Sequence, residues 1–281
     1  MISFDLHSLG FDAPDLDTLV QMASDAGAVG VPDVGDFSLL AAYTDPSGAR
    51  LGLLQSQPDE QGVAQLETMA SLVAPTTHPA EVVRFSPTVA RVDVLSPQPG
   101  SLLTGDSVLS LPGANRQRLA RFLAHVDDPV EYPLCPDPGD ETPSWVEHLR
   151  VGAVAADLPR VHESEEAYGR SEEGALGSDG QVQFAAGSLM SPWLMEVDSG
   201  RATRGQASPV AEMTMVCQRV EERTNELTGK PWLRVIGQTS IPITLALPAD
   251  LPRRPHEGSV VTGRVIPVVS SGTWEQGQFW G

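Results

Sequence analysis

The sequence predicts a strand-rich α+β protein, with an acidic α+β domain over residues 1–200 and a small β-barrel over residues 209–281. Three observations carry this. Glycine and proline number 26 and 24 in 281 residues, which favours short strands and many turns over long helices. After residue 209, apolar residues alternate in successive runs separated by turn residues. Charge divides at the same place: of 18 basic and 37 acidic residues, seven of each follow residue 208, so the net charge of −19 belongs wholly to residues 1–208. The stretch between, "DSGRATRGQASP" at 198–209, is small, polar and aperiodic, as a linker is. A chain of this length suggests about two domains and buries enough surface to form a core without disulfides.

From the N-terminus, Ile2, Phe4 and Leu6 alternate with polar neighbours and predict a short first strand. "APDLDTLVQMASDAG" predicts a helix: Leu16, Leu19, Val20 and Ala23 share a face, Asp15 and Asp17 suit its positive end, and Gly27 ends it. Phe37–Tyr43 and Arg50–Leu54, joined by "DPSG", predict a hairpin. "LETMASLVAP" predicts a short helix stopped by Pro75, and "AEVVRFSPTVARVDVLSP" a pair of strands broken at Pro87. "GDSVLSLPG" predicts another strand. In "NRQRLARFLAHVDDP", helical spacing of Leu119, Phe122, Leu123 and Val126 competes with the alternation of Ala120, Phe122, Ala124 and Val126, and the helix is preferred, with Asn115 as its cap. Its Arg116, Arg118 and Arg121 are expected on a solvated face, balanced by Asp127, Asp128 and Glu131. Four prolines in "PLCPDPGDETPS" require a loop; "WVEHLRVGAVAA" predicts a buried strand, and "ESEEAYGRSEEG" an exposed helix start. "FAAGSLMSPWLMEV" is an apolar strap carrying Trp193, either core or a partner surface.

Residues 211–223 predict a long strand, "TNELTG" a turn in which Asn225 and Gly229 tolerate positive φ, and "PWLRVIG" the return. "SIPITLALP" and "SVVTGRVIPVV" add two strands. The tail "SSGTWEQGQFWG" sets Trp274, Phe279 and Trp280 beside glycines, fit to fold back over an apolar groove or to self-associate.

Two resemblances follow. "LHSLGFDAPDLDTLVQMASDAG" with "YTDPSGARLGLL", the first 55 residues, resembles a half-module of the glyoxalase-like (vicinal-oxygen-chelate) superfamily. That resemblance implies a divalent-metal enzyme with His7 as a ligand on the first strand, although no second copy of the module is visible. The order "V…ERTNELTGKPWLRV…IPITLALP…GSVVTGRV" resembles an OB-fold barrel, and its hairpin resembles that of a bacterial protein family with an "RTNxxTGxPWxxV" signature, which implies no activity. OB barrels bind single strands through basic grooves and stacking aromatics, here Arg219, Arg223, Lys230, Arg234, Arg264 and Trp232. A neutral module attached to an acidic one argues against nucleic acid, and Trp232 reads better as a core residue.

The chain has no P-loop, dinucleotide fingerprint, H-E-x-x-H or G-x-S-x-G. Cys135 and Cys217 form no C-x-x-C pair, and no run of 18 apolar residues exists to span a membrane. An acidic N-terminus without a basic n-region makes cytoplasm the expected compartment, and 17 arginines to one lysine fits a GC-rich bacterial genome. The expectation is therefore a binding protein without catalytic residues or cofactor. It would engage a protein partner or itself through Arg219, Arg223, Lys230, Trp232, Arg234, Trp193 and Trp280. The alternatives are a divalent-metal enzyme at His7 and a single-strand binder.

Overall fold

The computed structural model describes residues 2–59, 61–97, 116–139, 141–176, 182–183 and 185–277. The strand expected over "GDSVLSLPG", the cap Asn115, and Phe279 and Trp280 of the tail lie outside the described residues. The chain is a strand-rich α+β protein: a closed eight-stranded β-barrel with a separate four-stranded sheet against it.

Residues 2–12 do not form the expected strand. Phe4–His7 is a short helix, α1, and three alternating residues are too few to decide between the two periods. Leu6, Leu9 and Phe11 are buried from this turn and the loop after it. Helix α2 (Leu16–Asp25) begins where Asp15 accepts from the Thr18 backbone N–H at 2.8 Å, and Gly27 follows it at φ +94°. Strands β1 (Val29–Val34), β2 (Phe37–Thr44), β3 (Ala49–Ser56) and β4 (Leu66–Leu72) form an antiparallel meander. β4 occupies part of the predicted 66–75 helix. Its Met69 and Leu72 face opposite cores, as period two requires of a strand buried on both sides.

The barrel begins with β5 (Thr77–Arg84) and β6 (Val89–Leu95) on either side of Pro87. β7 (Arg118–Val126) is a strand, not the preferred helix: Phe122, Ala124 and Val126 enter the barrel core while Leu123 packs outside with Phe85 and Leu194. With both faces buried, the two periodicities overlapped in sequence. β8 (Ser144–Ala155) and β9 (Arg160–His162) precede helix α3 (Glu165–Gly169) and the short β10 (Ala175–Leu176) and β11 (Val182–Gln183). The apolar strap is β12 (Ser188–Met190) and helix α4 (Pro192–Asp198). β13 (Ala211–Thr224), β14 (Pro231–Gln238), β15 (Pro242–Pro248) and β16 (Val260–Ser270) match the four expected strands, and helix α5 (Thr273–Gln276) follows.

The boundary at 198–209 does not separate two sheets. β15 pairs parallel with β8, and β16 pairs with β7, β8 and β9, so the barrel draws four strands from each side of it. Around the ring the order is β13–β14–β15–β8–β5–β6–β7–β16, closed by β16 on β13. β8 and β16 also pair with each other, Val154 opposite Ile266 and Arg150 opposite Ser270. That pairing cinches the ring into two five-strand circuits that share β8 and β16. One circuit contains all four expected C-terminal strands and takes β8 as its fifth, so pairing across the boundary completes it.

Period two also joins the sheet to the barrel. Along β8, Ala153 points into the barrel and Val154 out; along β15, Leu245 points in and Ala246 out. Val154, Ala246, Val268 and Trp232 form an apolar outer wall, and Tyr43, Leu51, Leu53 and Leu72 of the meander pack against it with Leu9, Phe11 and Leu19. Within this junction sits an ion pair. Arg50 on β3, fully buried, donates from Nη1 to Asp127 Oδ2 at 2.6 Å and from Nε to Thr44 at 2.9 Å, and its Nη2 reaches Glu275. Ser71 of β4 donates to the same Asp127 oxygen at 2.8 Å. A buried guanidinium and carboxylate each need the other, because either alone would be an uncompensated buried charge. Arg50→Met is therefore expected to lower stability in urea denaturation by about 3–5 kcal/mol, and a double Arg50→Met, Asp127→Leu variant by less than the sum of the singles.

Candidate functional site

The structure brings His7 and Lys230, far apart in sequence, into one cleft of about 190 Å³, lined also by Gly10, Asp12, Pro231, Ala249 and Asp250. Three segments build it. Helix α1 ends on His7, and the loop after it turns at Gly10, φ +72°, where an ideal Cβ would lie 2.8 Å from the Lys230 carbonyl oxygen, so the approach needs glycine. The β13–β14 turn supplies Lys230, and the residues after β15 supply Ala249 and Asp250.

The turn is held against the N-terminal loop. Asn225 donates from Nδ2 to the Leu9 carbonyl at 3.0 Å, and its Oδ1 accepts from the backbone N–H of Leu227 and Thr228. Asn225 does not use the positive φ expected of it; Gly229 does, at +70°. Thr228 donates to the Gly10 carbonyl at 2.5 Å. Buried Asp45 of the β2–β3 turn accepts from the backbone N–H of Glu226 and Leu227 and from the Tyr43 hydroxyl. Burial first, and Asp45 next, push the Tyr43 phenol up to about 12.

Inside the cleft the His7 ring lies between two carboxylates. Nε2 is 3.2 Å from Asp250 Oδ1, and Nδ1 is 3.7 Å from Asp12 Oδ2. The Phe4 ring meets the imidazole edge-on, centroids 6.0 Å apart. His7 and Asp12 are shared with a shallower recess of about 450 Å³ whose other walls are Ile2, Phe4, Ala13 and Pro14. The combined surface thus sets two carboxylates and the His7 imidazole beside an apolar flank, with Lys230 also on the cleft wall. Because the two ring nitrogens aim at different carboxylates, they offer no common ligation point, and among the described residues no group of three or more His, Cys, Asp and Glu could hold a metal ion. The strand on which the glyoxalase-like resemblance placed His7 is the helix α1.

The other expected surface residues are dispersed. Trp232 is fully buried on the outer wall of the barrel, its indole N–H donating to Ser47 Oγ at 3.2 Å, so it belongs to the junction core and not to a partner surface. Arg219, Arg223 and Arg234 converge on Glu221, with nearest contacts of 2.5 Å each, and Glu221 is held below its ordinary pKa by Arg223 and Arg234 against the opposing effect of burial. Arg264 pairs with Asp157. Trp193 is exposed on α4, as are Met195 on the same helix and Met190 on β12, away from the cleft residues in sequence, while Leu194 anchors the helix. Arg121 makes a bidentate contact with Asp93, Arg118 lies 3.6 Å from it, and Arg116 lies over the Trp145 ring at 4.8 Å and 3.6 Å from Glu147, so this basic cluster is balanced by Asp93 and Glu147 rather than by Asp127, Asp128 and Glu131. Cys217 is core, its thiol pushed up to about 12 by burial.

Sequence reasoning named His7 and Lys230 but missed Asp12 and Asp250. Asp12 carried a weak signal, five residues after His7; Asp250 carried none, since only the β14–β15 return brings it there. No helix among the described residues is long and apolar enough to cross a membrane. No protein-family model, curated protein or solved structure matches the chain.

Trp232→Ala is expected to cost about 3–5 kcal/mol in chemical denaturation, whereas Arg219→Ala, on an exposed side chain, should change stability by no more than about 0.5 kcal/mol.

Proposed function

We propose that this is a binding protein whose recognition surface is the His7 cleft and whose ligand is a basic, apolar-flanked segment of a protein partner. One observation carries the reading: Asp12 and Asp250 bracket His7 at the mouth of a cleft that opens onto the apolar wall of Ile2, Phe4, Ala13 and Pro14. A guanidinium or ammonium finds paired carboxylates there, and a neighbouring aliphatic or aromatic side chain finds the recess. The net charge of −19 attracts a cationic segment from a distance and repels polyanions. The metal-enzyme reading of His7 has the divergence of its ring nitrogens against it, and the single-strand reading has the burial of Trp232 and the pairing of three arginines with Glu221.

The test uses two peptides, one with arginine between leucines and one with glutamine in its place, titrated into the full chain while the His7 ring resonances are followed by NMR. The arginine peptide is expected to shift them, to bind more weakly as salt rises, and to lose at least tenfold in affinity against an Asp12→Asn, Asp250→Asn variant. Equal response to both peptides, or none to either, overturns the proposal.

A further inference from the structure

A second cluster of ionisable groups lies at the junction, away from the His7 cleft. Asp127 and Asp128, adjacent and both buried, follow β7, and the segment after β16 folds onto them. Asp128 Oδ2 accepts from the Ser271 backbone N–H and hydroxyl, each at 2.6 Å, and from the Ser270 hydroxyl at 3.4 Å. Thr273 donates to Glu131 at 2.8 Å, the Trp274 indole N–H donates to the Asp127 carbonyl at 2.7 Å, and Glu275 reaches Arg50. Trp274 thereby packs beside Val130 on the outer face of the meander, with Phe37, Leu40, Leu54 and Met69.

The charges in this cluster do not balance. Asp128 is faced by Asp127 from its own segment and by Arg50 from β3; the buried Tyr132 lies near both aspartates and Glu131, Glu275 of the tail reaches Arg50, and Arg150 of β8 and Glu275 both lie beside Gly272. Arg50 already contacts both Asp127 and Glu275, so an ionised Asp128 adds a further negative charge to a site whose fully buried guanidinium is taken. The Oδ1 atoms of Asp127 and Asp128 are buried with no hydrogen-bond partner among the described residues. A buried, unpartnered carboxylate oxygen is far costlier charged than neutral.

We propose that Asp128 is a protonation-controlled latch on the C-terminal segment: neutral, it clasps residues 270–275 over the meander, and ionised, it loosens them and uncovers the apolar face around Leu40, Leu54 and Met69. Burial first, and Asp127 next, push the Asp128 carboxyl up to about 7, against the opposing bonds from Ser271 and the charge of Arg50. Once released, the side chain is solvated and returns toward the ordinary carboxylate range. The closed form therefore binds the proton more tightly. Closing is favoured at low pH and lost as pH rises from the ordinary carboxylate range to about 7, and it changes little above that. The direction is opposite to that of an ordinary salt-bridged aspartate.

Peptide-resolved hydrogen exchange of the full chain, corrected for the intrinsic pH dependence of exchange, tests this. Protection over residues 271–276 is expected to fall between pH 5 and pH 7, by up to about tenfold per pH unit for a single linked proton, and to level off at higher pH. Asp128→Asn, which keeps the acceptor and cannot ionise, is expected to flatten the profile. Constant protection across the range in the native chain, or an Asp128→Asn profile that follows it, overturns the latch. Should that variant not fold, carboxyl ¹³C titration of the native chain decides: a carboxyl with a midpoint near 7 supports the latch, and titration of every carboxyl below pH 5 overturns it.

Discussion

The arrangement of this protein depends on one buried ion pair. Arg50 comes from the meander, Asp127 from the end of β7, and Glu275 from the C-terminal segment, so a single guanidinium binds the separate sheet, the barrel and the tail at one point. The apolar surfaces around it would hold sheet and barrel together in many relative positions, since burial is non-directional. The ion pair restricts them, together with the bonds of Asp45 to Glu226 and Leu227 and of Trp232 to Ser47, because directional donors must meet particular oxygens. The same concentration of charge leaves Asp128 to share Arg50 with Asp127 and Glu275, which ties the geometry of the junction to the protonation of Asp128.

The barrel shows a related economy of parts. β8 and β16 each pair with strands from both halves of the chain, and their mutual pairing divides a wide ring into two narrower ones that side chains alone can fill. Valines, leucines and alanines occupy the interior, and the outward residues of the same strands form the wall on which the meander rests. One alternating pattern thus serves two cores. Trp232 belongs to the outer one: an aromatic in a hairpin that suggested an exposed reading surface is instead the largest side chain fully buried at the junction.

This placement also produces the candidate site. The β13–β14 turn is tied to the N-terminal loop through Asn225, Thr228 and Asp45, and that tie brings Lys230 beside His7. The cleft lies where the N-terminal loop, the turn and the residues after β15 meet, on the rim of the barrel rather than inside it. Its carboxylates are exposed and, among the described residues, meet only the His7 imidazole, whereas Asp127 and Asp128 are buried and occupied with the fold. The two acidic sites thus differ in solvent access.

The sequence by itself determined the strand-rich class, the helix over 16–25, the hairpin around "DPSG" and the four strands after residue 209, because each carries a local period and local turn chemistry. It misread β4 and β7, where burial on both faces gives strands nearly continuous apolar runs that also satisfy helical spacing. It marked His7 and Lys230 as residues of interest, one by chemistry and one by rarity. Only the tertiary structure decided that they share a cleft with Asp12 and Asp250, that the charge step near residue 208 does not divide two sheets, and that Asp127 answers Arg50 rather than its basic neighbours in sequence. Those outcomes rest on pairing between strands about ninety or more residues apart, and local pattern holds no record of which distant strand will lie alongside.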